Sequence, residues 1–200
     1  ILFWLFKKWK IELVKDLALC LYIGIWSDTG GFKYPETSLF THQAAAELIA
    51  TGIDFSGSIL RLTSTSNKLL QAYGHGLSSI KEFYNGKVLI VKIKAEDIYK
   101  VGLGIPDIIP TYLNVTDTIS QSRDAYLTAV VYDRGESVVG ISLRSNNPDN
   151  HRDVSKITEL YEGGGHPAAA GAIIKETSVD EVVESLIKSI QKVYPDLGQP

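Results

Sequence analysis

Three glycines, Gly163, Gly164 and Gly165, run directly into His166 and Pro167 in the segment EGGGHPAAAGA. Glycine loses more conformational freedom on folding than any other residue, so three in succession need a reason. A close approach of ligand to backbone is one. Proline favours the first turn of a helix. The spacing therefore predicts that GGGH leads into the N-terminus of a short helix formed by PAAAG. Free N–H groups and the positive end of a helix dipole would make an anion site there. His166 could add a hydrogen bond or a charge. The alternative is a helix cap followed by a tight turn, with His166 satisfied in the interior.

A second group sits in ISLRSNN, where Arg144 and Ser145 close an apolar strand. The arginine fork suits phosphate oxygens, and a serine hydroxyl can add one bond. Taken alone, Arg144 reads as an ordinary surface arginine. It gains weight because a strand end and a glycine loop can converge at one edge of a sheet. A third group is SDTGGF, which places Asp28 after an apolar helix. Spacing alone makes it a turn or cap residue. At a pocket rim the same carboxylate would be a hard ligand for Mn²⁺ or Mg²⁺. His42 and His75 fall on helical patterns and read as structural or surface groups, and His151 lies in a polar loop. Cys20, the single cysteine, sits in an apolar stretch and reads as buried filler.

Two textures of chain must position these groups. Residues 11–26 have apolar positions at helical spacing and predict a largely buried helix. TSLFTHQAAAELIATG predicts the next, capped by Thr37 or Ser38 and ended by Gly52. DFSGSILRLTS predicts a short helix, and SNKLLQAYGHGLSSIKEF a longer one interrupted by Gly74 and Gly76. The texture changes at YNGKVLIVKI, where Asn85-Gly86 signals a turn and a β-branched run signals a strand. Two short helices follow, then a hairpin over AYLTAVVYDRGESVVGISLRS. DVSKITELYE predicts a helix capped by Asp153, GAIIK a short strand, and SVDEVVESLIKSIQKVY a closing helix capped by Ser178. The expected class is α/β in the wide sense, α+β in detail: a helical part over 1–84 and a mixed-sheet domain over 85–200.

Composition removes several function classes. The 200 residues carry a net charge of −3, so no broad basic field is present for long nucleic acid. A general RNA-binding role is disfavoured, and long duplexes are not expected partners. The apolar runs fall short of the ~20 residues a membrane span needs. One cysteine fits a reducing, cytoplasmic setting. The chain contains no methionine and opens on ILFWLF, which reads as part of a longer protein.

Three segments in order, YIGIWSDTGGFKYPETSLFTHQAAAELIATGIDFSGSILRL, VVGISLRS and DVSKITELYEGGGHPAAAGAII, resemble the DHH phosphoesterase family with its DHH-associated C-terminal domain. The nano-RNase and pAp phosphatase branch is the nearer one, and RecJ-type exonucleases are more distant. The resemblance implies that 1–84 is the C-terminal part of a DHH catalytic domain plus a connecting helix, and that 85–200 is the substrate-binding domain. It implies that Asp28 matches the last metal-binding, catalytic aspartate. Arg144, Ser145, Gly163, Gly164, Gly165 and His166 match the substrate-binding face.

The implied activity is a phosphoesterase or exonuclease in which two Mn²⁺ ions, with Mg²⁺ as a substitute, activate water. The implied substrates are short oligoribonucleotides, linear dinucleotides such as pApA, or pAp. A homodimer is an option. The family's Asp-His-His triplet is not among these residues, and the resemblance places it upstream of Ile1. The alternative is a nucleotide-phosphate-binding or regulatory module without catalysis.

Overall fold

The computed structural model describes residues 1–33, 37–145 and 147–200. Residues 34–36 of the first resembling segment, and residue 146, lie outside that description. The chain divides into two compact units, Ile1–Ser64 and Thr65–Pro200. The change of texture in the sequence comes later, at residue 85.

The first unit is helical: α1 (Leu2–Lys8), α2 (Lys15–Asp28), α3 (Leu39–Ala50) and α4 (Phe55–Thr63). Small residues let α2 and α3 approach. Ala18 and Tyr22 of α2 and Ala44, Ala45 and Leu48 of α3 are buried together with Phe3. Helix α2 begins later than the apolar pattern suggested, because Lys10 is left-handed and Val14 is extended. It also runs on through Asp28. Thr29 forms the cap, its Oγ1 donating to Ile25 O at 2.8 Å and accepting from Phe32 N at 3.0 Å. Cys20 is exposed rather than buried filler, because α2 buries only the side that carries Ala18 and Tyr22. Helix α3 starts as expected at Ser38, which forms a reciprocal capping box with Thr41. Gly52, at φ +80°, ends it.

The second unit is a six-stranded mixed sheet with helices on both faces. In chain order come α5 (Asn67–Ser78), β1 (Lys81–Phe83), β2 (Val88–Ile93), α6 (Ala95–Lys100), α7 (Ile108–Ile119), β3 (Leu127–Asp133), β4 (Val139–Arg144), α8 (Ser155–Thr158), β5 (Gly164–His166), β6 (Ala169–Ile174) and α9 (Val179–Val193). Helix α5 is not interrupted at Gly74 or Gly76. A Cβ at Gly76 would lie 2.9 Å from Val115 Cγ2, so the glycine is what lets α5 lie close against α7. Residues 81–83 form a strand where the pattern suggested helix. They pair with β2 through the Asn85-Gly86 turn, and that pairing overrides local propensity.

The strand order is β1-β2-β3-β4-β6-β5, with only β2 and β3 parallel. One face packs on α8 and α9 through Leu127, Ile141, Leu143, Ile157, Leu186 and Ile190. On the other face α5, α6 and α7 bury Val91, Ile93, Val130 and Tyr132. Period-2 alternation explains both sets. The helices of that second face lie over β2 and β3. The same face of β4, β6 and β5 is left as an open groove.

Helix α9 is tied to β2 by charge. Its Asp180 accepts from Lys92 Nζ at 2.7 Å and Lys94 Nζ at 2.6 Å. Bonding to Lys92 first, then to Lys94, holds the Asp180 carboxyl at about 2, below its ordinary 3.8. A lowered carboxylate pKa adds stability that is full above the ordinary value and lost as pH falls through the folded value. The side chain is half in solvent, so the effect is screened and stays below about 1 kcal/mol. Acid titration monitored by circular dichroism should show a small loss between about pH 4 and pH 2, and Asp180→Asn should remove that part of the slope.

Candidate functional site

The glycine segment is not the start of a helix. Gly164–His166 is strand β5, Pro167 and Ala168 make a tight turn, and β6 returns beside it. Two close approaches explain the glycines. A Cβ on Gly163 would meet Gly171 O at 2.4 Å, and one on Gly165 would meet Ala169 O and Ala170 Cα at 2.5 Å. Gly165 also has φ +146°, which side chains rarely adopt. Gly164 differs, with nothing within 4 Å of the place its Cβ would take. It opens onto the groove. The expected anion site thus loses the helix dipole. It keeps N–H donors of another kind, because β5 is an edge strand.

Register places the candidate residues in rows. Arg144 pairs with Ala169, and Ala169 with His166. Ser142, Gly171 and Gly164 form the next row, and Gly140 and Ile173 the one beyond. Partners in register share a face, so Arg144 and His166 lie on the same face of the sheet, two strand spacings or about 10 Å apart. The groove has a volume of about 560 Å³ and is lined by Arg144, Ser142, Ala169, Gly171, Gly164 and Ile173 of these rows, by Glu162 and by Tyr112 and Tyr132. Arg144 Nη1 donates to Ser142 Oγ at 3.2 Å and to Leu143 O at 3.0 Å. No carboxylate pairs with Arg144 among the described residues. Its neighbour in register on β3, Thr128, is buried, and the Thr128 hydroxyl has no hydrogen-bond partner among the described residues. His166 is exposed.

Ser145 lies apart from this group. It is 1% exposed. Its Oγ donates to Tyr126 O at 2.8 Å and accepts from Arg152 N at 2.7 Å. Its N–H donates to Ala168 O at 3.0 Å, and Val154 N donates to Pro167 O at 2.9 Å. These bonds hold the β5–β6 turn and so set where His166 stands. The period of two already separates Arg144 from Ser145, since consecutive strand residues face opposite ways.

The sequence reading passed over Arg152. Its guanidinium lies 5.5 Å from the ring centroids of both Tyr126 and Tyr194 and pairs with Asp196 at 2.7 Å. Nothing at fixed spacing announces this cluster, because its members come from three distant segments. Tyr112 and Tyr132 were also missed. Their rings stack at 3.8 Å, 8° from parallel. Burial pushes the Tyr132 phenol up to about 12, so it stays neutral.

Asp28 belongs to the first unit. It is exposed at the C-terminal end of α2. The helix dipole adds negative potential at that end, which favours a cation. Yet no group of three or more His, Cys, Asp or Glu among the described residues could hold a metal ion. Asp28 by itself therefore does not fit a two-metal centre. His42 stacks on Phe32 at 5.2 Å, while His75 and His151 are exposed. No helix among the described residues is long and apolar enough to cross a membrane.

Residues 106–193, which include every row of the groove, match the model of the DHHA1 domain. That stretch is a DHHA1 domain. It is 24% identical over 188 residues to the bifunctional oligoribonuclease and PAP phosphatase NrnA of Thermus thermophilus, covering 94% of this chain and 54% of that one. It is 26% identical over 166 residues to NrnA of Bacillus subtilis, covering 83% of this chain and 49% of that one. The chain spans about half the length of these curated relatives. An exopolyphosphatase-related protein of Bacteroides fragilis shares the fold, with a TM-score of 0.79 at 23% identity over 92% of this chain and 52% of its own.

Proposed function

We propose that this chain is part of a DHH-family phosphoesterase acting on short oligoribonucleotides, linear dinucleotides or pAp, with its DHHA1 domain holding the nucleotide's phosphate. The observation that carries this reading is the Arg144–His166 row on the open face of the DHHA1 sheet. Two donors carried on strands about 10 Å apart, beside a floor of glycine and serine, suit a phosphate with its ribose rather than a long polymer. The small groove and the acidic chain agree with that size. The names of the relatives support the same substrate classes.

For hydrolysis we propose Mn²⁺, with Mg²⁺ as a substitute, and Asp28 as one ligand among others. The residues described do not complete such a centre. The chemistry they themselves support is binding and orientation. Arg144 fixes the phosphate charge, His166 supplies a second donor, and Ser145 positions His166 through the turn. A cytoplasmic location and a homodimer belong to the same proposal. A second reading, nucleotide binding or regulation without catalysis, is favoured by the lack of a metal cluster among the described residues.

Titration calorimetry with AMP, pAp and pApA in EDTA, followed by hydrolysis assays in Mn²⁺, separates the readings. Binding with turnover supports the phosphoesterase. Binding without turnover supports the regulatory module. No binding of any of the three overturns both. Asp28→Asn should abolish Mn²⁺-dependent hydrolysis and leave nucleotide affinity in EDTA within about twofold, since surface changes seldom exceed ~0.5 kcal/mol. Unchanged turnover in that variant would remove Asp28 from the metal site.

A further inference from the structure

The groove has two chemically different ends. At one end stands Arg144, with His166 in the same row at the sheet edge and, beside Arg144, the buried hydroxyl of Thr128, which has no hydrogen-bond partner among the described residues. At the other stand Tyr132, Gly140 and Ile173 in register, with Tyr112 stacked on Tyr132 from α7. Gly140 and Arg144 are four positions apart on β4, or about 13 Å.

The aromatic end is built around a missing side chain. A Cβ on Gly140 would lie 2.2 Å from Tyr132 Cζ and 2.5 Å from its hydroxyl, so the glycine lets the ring lie across β4. Tyr112 covers that ring and is itself half-buried. Ile173 is 54% exposed near the end of β6, a strand whose other face is core. Glu162 lines the groove beyond Gly163. A carboxylate there repels phosphate and accepts hydrogen bonds from ring amines or ribose hydroxyls. Apolar area, a fixed aromatic pair and an acceptor are the chemistry that receives a nucleobase.

We propose that Tyr112, Tyr132 and Ile173 form a base subsite that receives the second nucleoside of a dinucleotide whose terminal phosphate sits on Arg144 and His166. This rests on the nucleotide-binding reading above. The base of a nucleotide anchored at Arg144 lies over the Ser142–Gly171–Gly164 row. The next base along the chain is the one that reaches the aromatic end. Glu162 sets the direction by refusing a phosphate there. Gly140 is a positioning residue, because it lets the Tyr132 ring lie across β4 beneath Tyr112.

The test compares pApA with AMP by titration calorimetry in EDTA, in the wild type, Ile173→Ala and Tyr112→Leu. Stacking one more base should make pApA bind roughly tenfold tighter than AMP in the wild type. Both variants should bring that ratio close to one. Ile173 is exposed, so its variant keeps the test valid if Tyr112→Leu fails to fold. Equal affinities for the two ligands in the wild type, or an unchanged ratio in Ile173→Ala, would overturn the base subsite and leave phosphate binding standing. Absence of binding by both ligands in the wild type would overturn the nucleotide reading and the subsite with it.

Discussion

Alanine at position 163 or 165 is expected to destabilise the DHHA1 unit by about 2–4 kcal/mol, whereas alanine at 164 should leave stability within about 0.5 kcal/mol of the wild type. The three glycines are adjacent, yet their surroundings differ. At Gly163 and Gly165 the new methyl group would fall 2.4–2.5 Å from backbone atoms of β6, which cannot withdraw without breaking the ladder. Gly165 carries the added strain of φ +146°. At Gly164 the methyl group meets open space and stands on the groove floor between the phosphate row and the Ile173 row. Thermal unfolding should therefore separate 163 and 165 from 164. Nucleotide titration should show the reverse, with a folded Gly164→Ala protein that binds pAp weakly. Equal stability of all three variants would mean that β5 does not lie against β6 in the way described.

Arg144→Ala is expected to weaken pAp and AMP binding by about 10–100-fold, the range of losing charge-assisted hydrogen bonds to a phosphate. The fold should survive. Arg144 is half-buried, and its recorded partners are Ser142 Oγ and Leu143 O, whose loss costs about 1 kcal/mol. Arg144→Lys should not restore binding in full, because an ammonium does not reproduce the planar fork. His166→Ala should weaken binding less and leave stability unchanged, since His166 is exposed at the sheet edge. Titration calorimetry beside a melting curve checks all three. Wild-type affinity in Arg144→Ala would remove the residue from the phosphate site.

Much of this protein is written in local signals. Ser38 and Ser178 begin helices because their hydroxyls satisfy the first free N–H groups, with Thr41 and Glu181 answering in return. Asn85-Gly86 turns because both residues reach positive φ. The alternation in VVGISLR and the DRGE turn sufficed for the β3–β4 hairpin. The same locality made the family legible, since the segments around Arg144 and His166 are short and dense in glycine.

What local signals left open is which strand lies beside which, and which face each residue meets. Pro167 reads as a helix start in isolation. It sits in a hairpin turn because Ser145 N and Val154 N bond to the carbonyls of Ala168 and Pro167. Residues 81–83 are strand because β2 offers them a partner. Ser145 looks like a ligand contact beside Arg144, but the tertiary fold spends its hydroxyl on Tyr126 and Arg152. The Tyr112–Tyr132 stack joins a helix to a strand across a glycine on a third element, and no spacing encodes that. Caps, turns and alternation depend on a few neighbouring residues, so the sequence determines them alone. Register, burial and the shape of the groove depend on contacts between distant segments, so only the tertiary structure decides them.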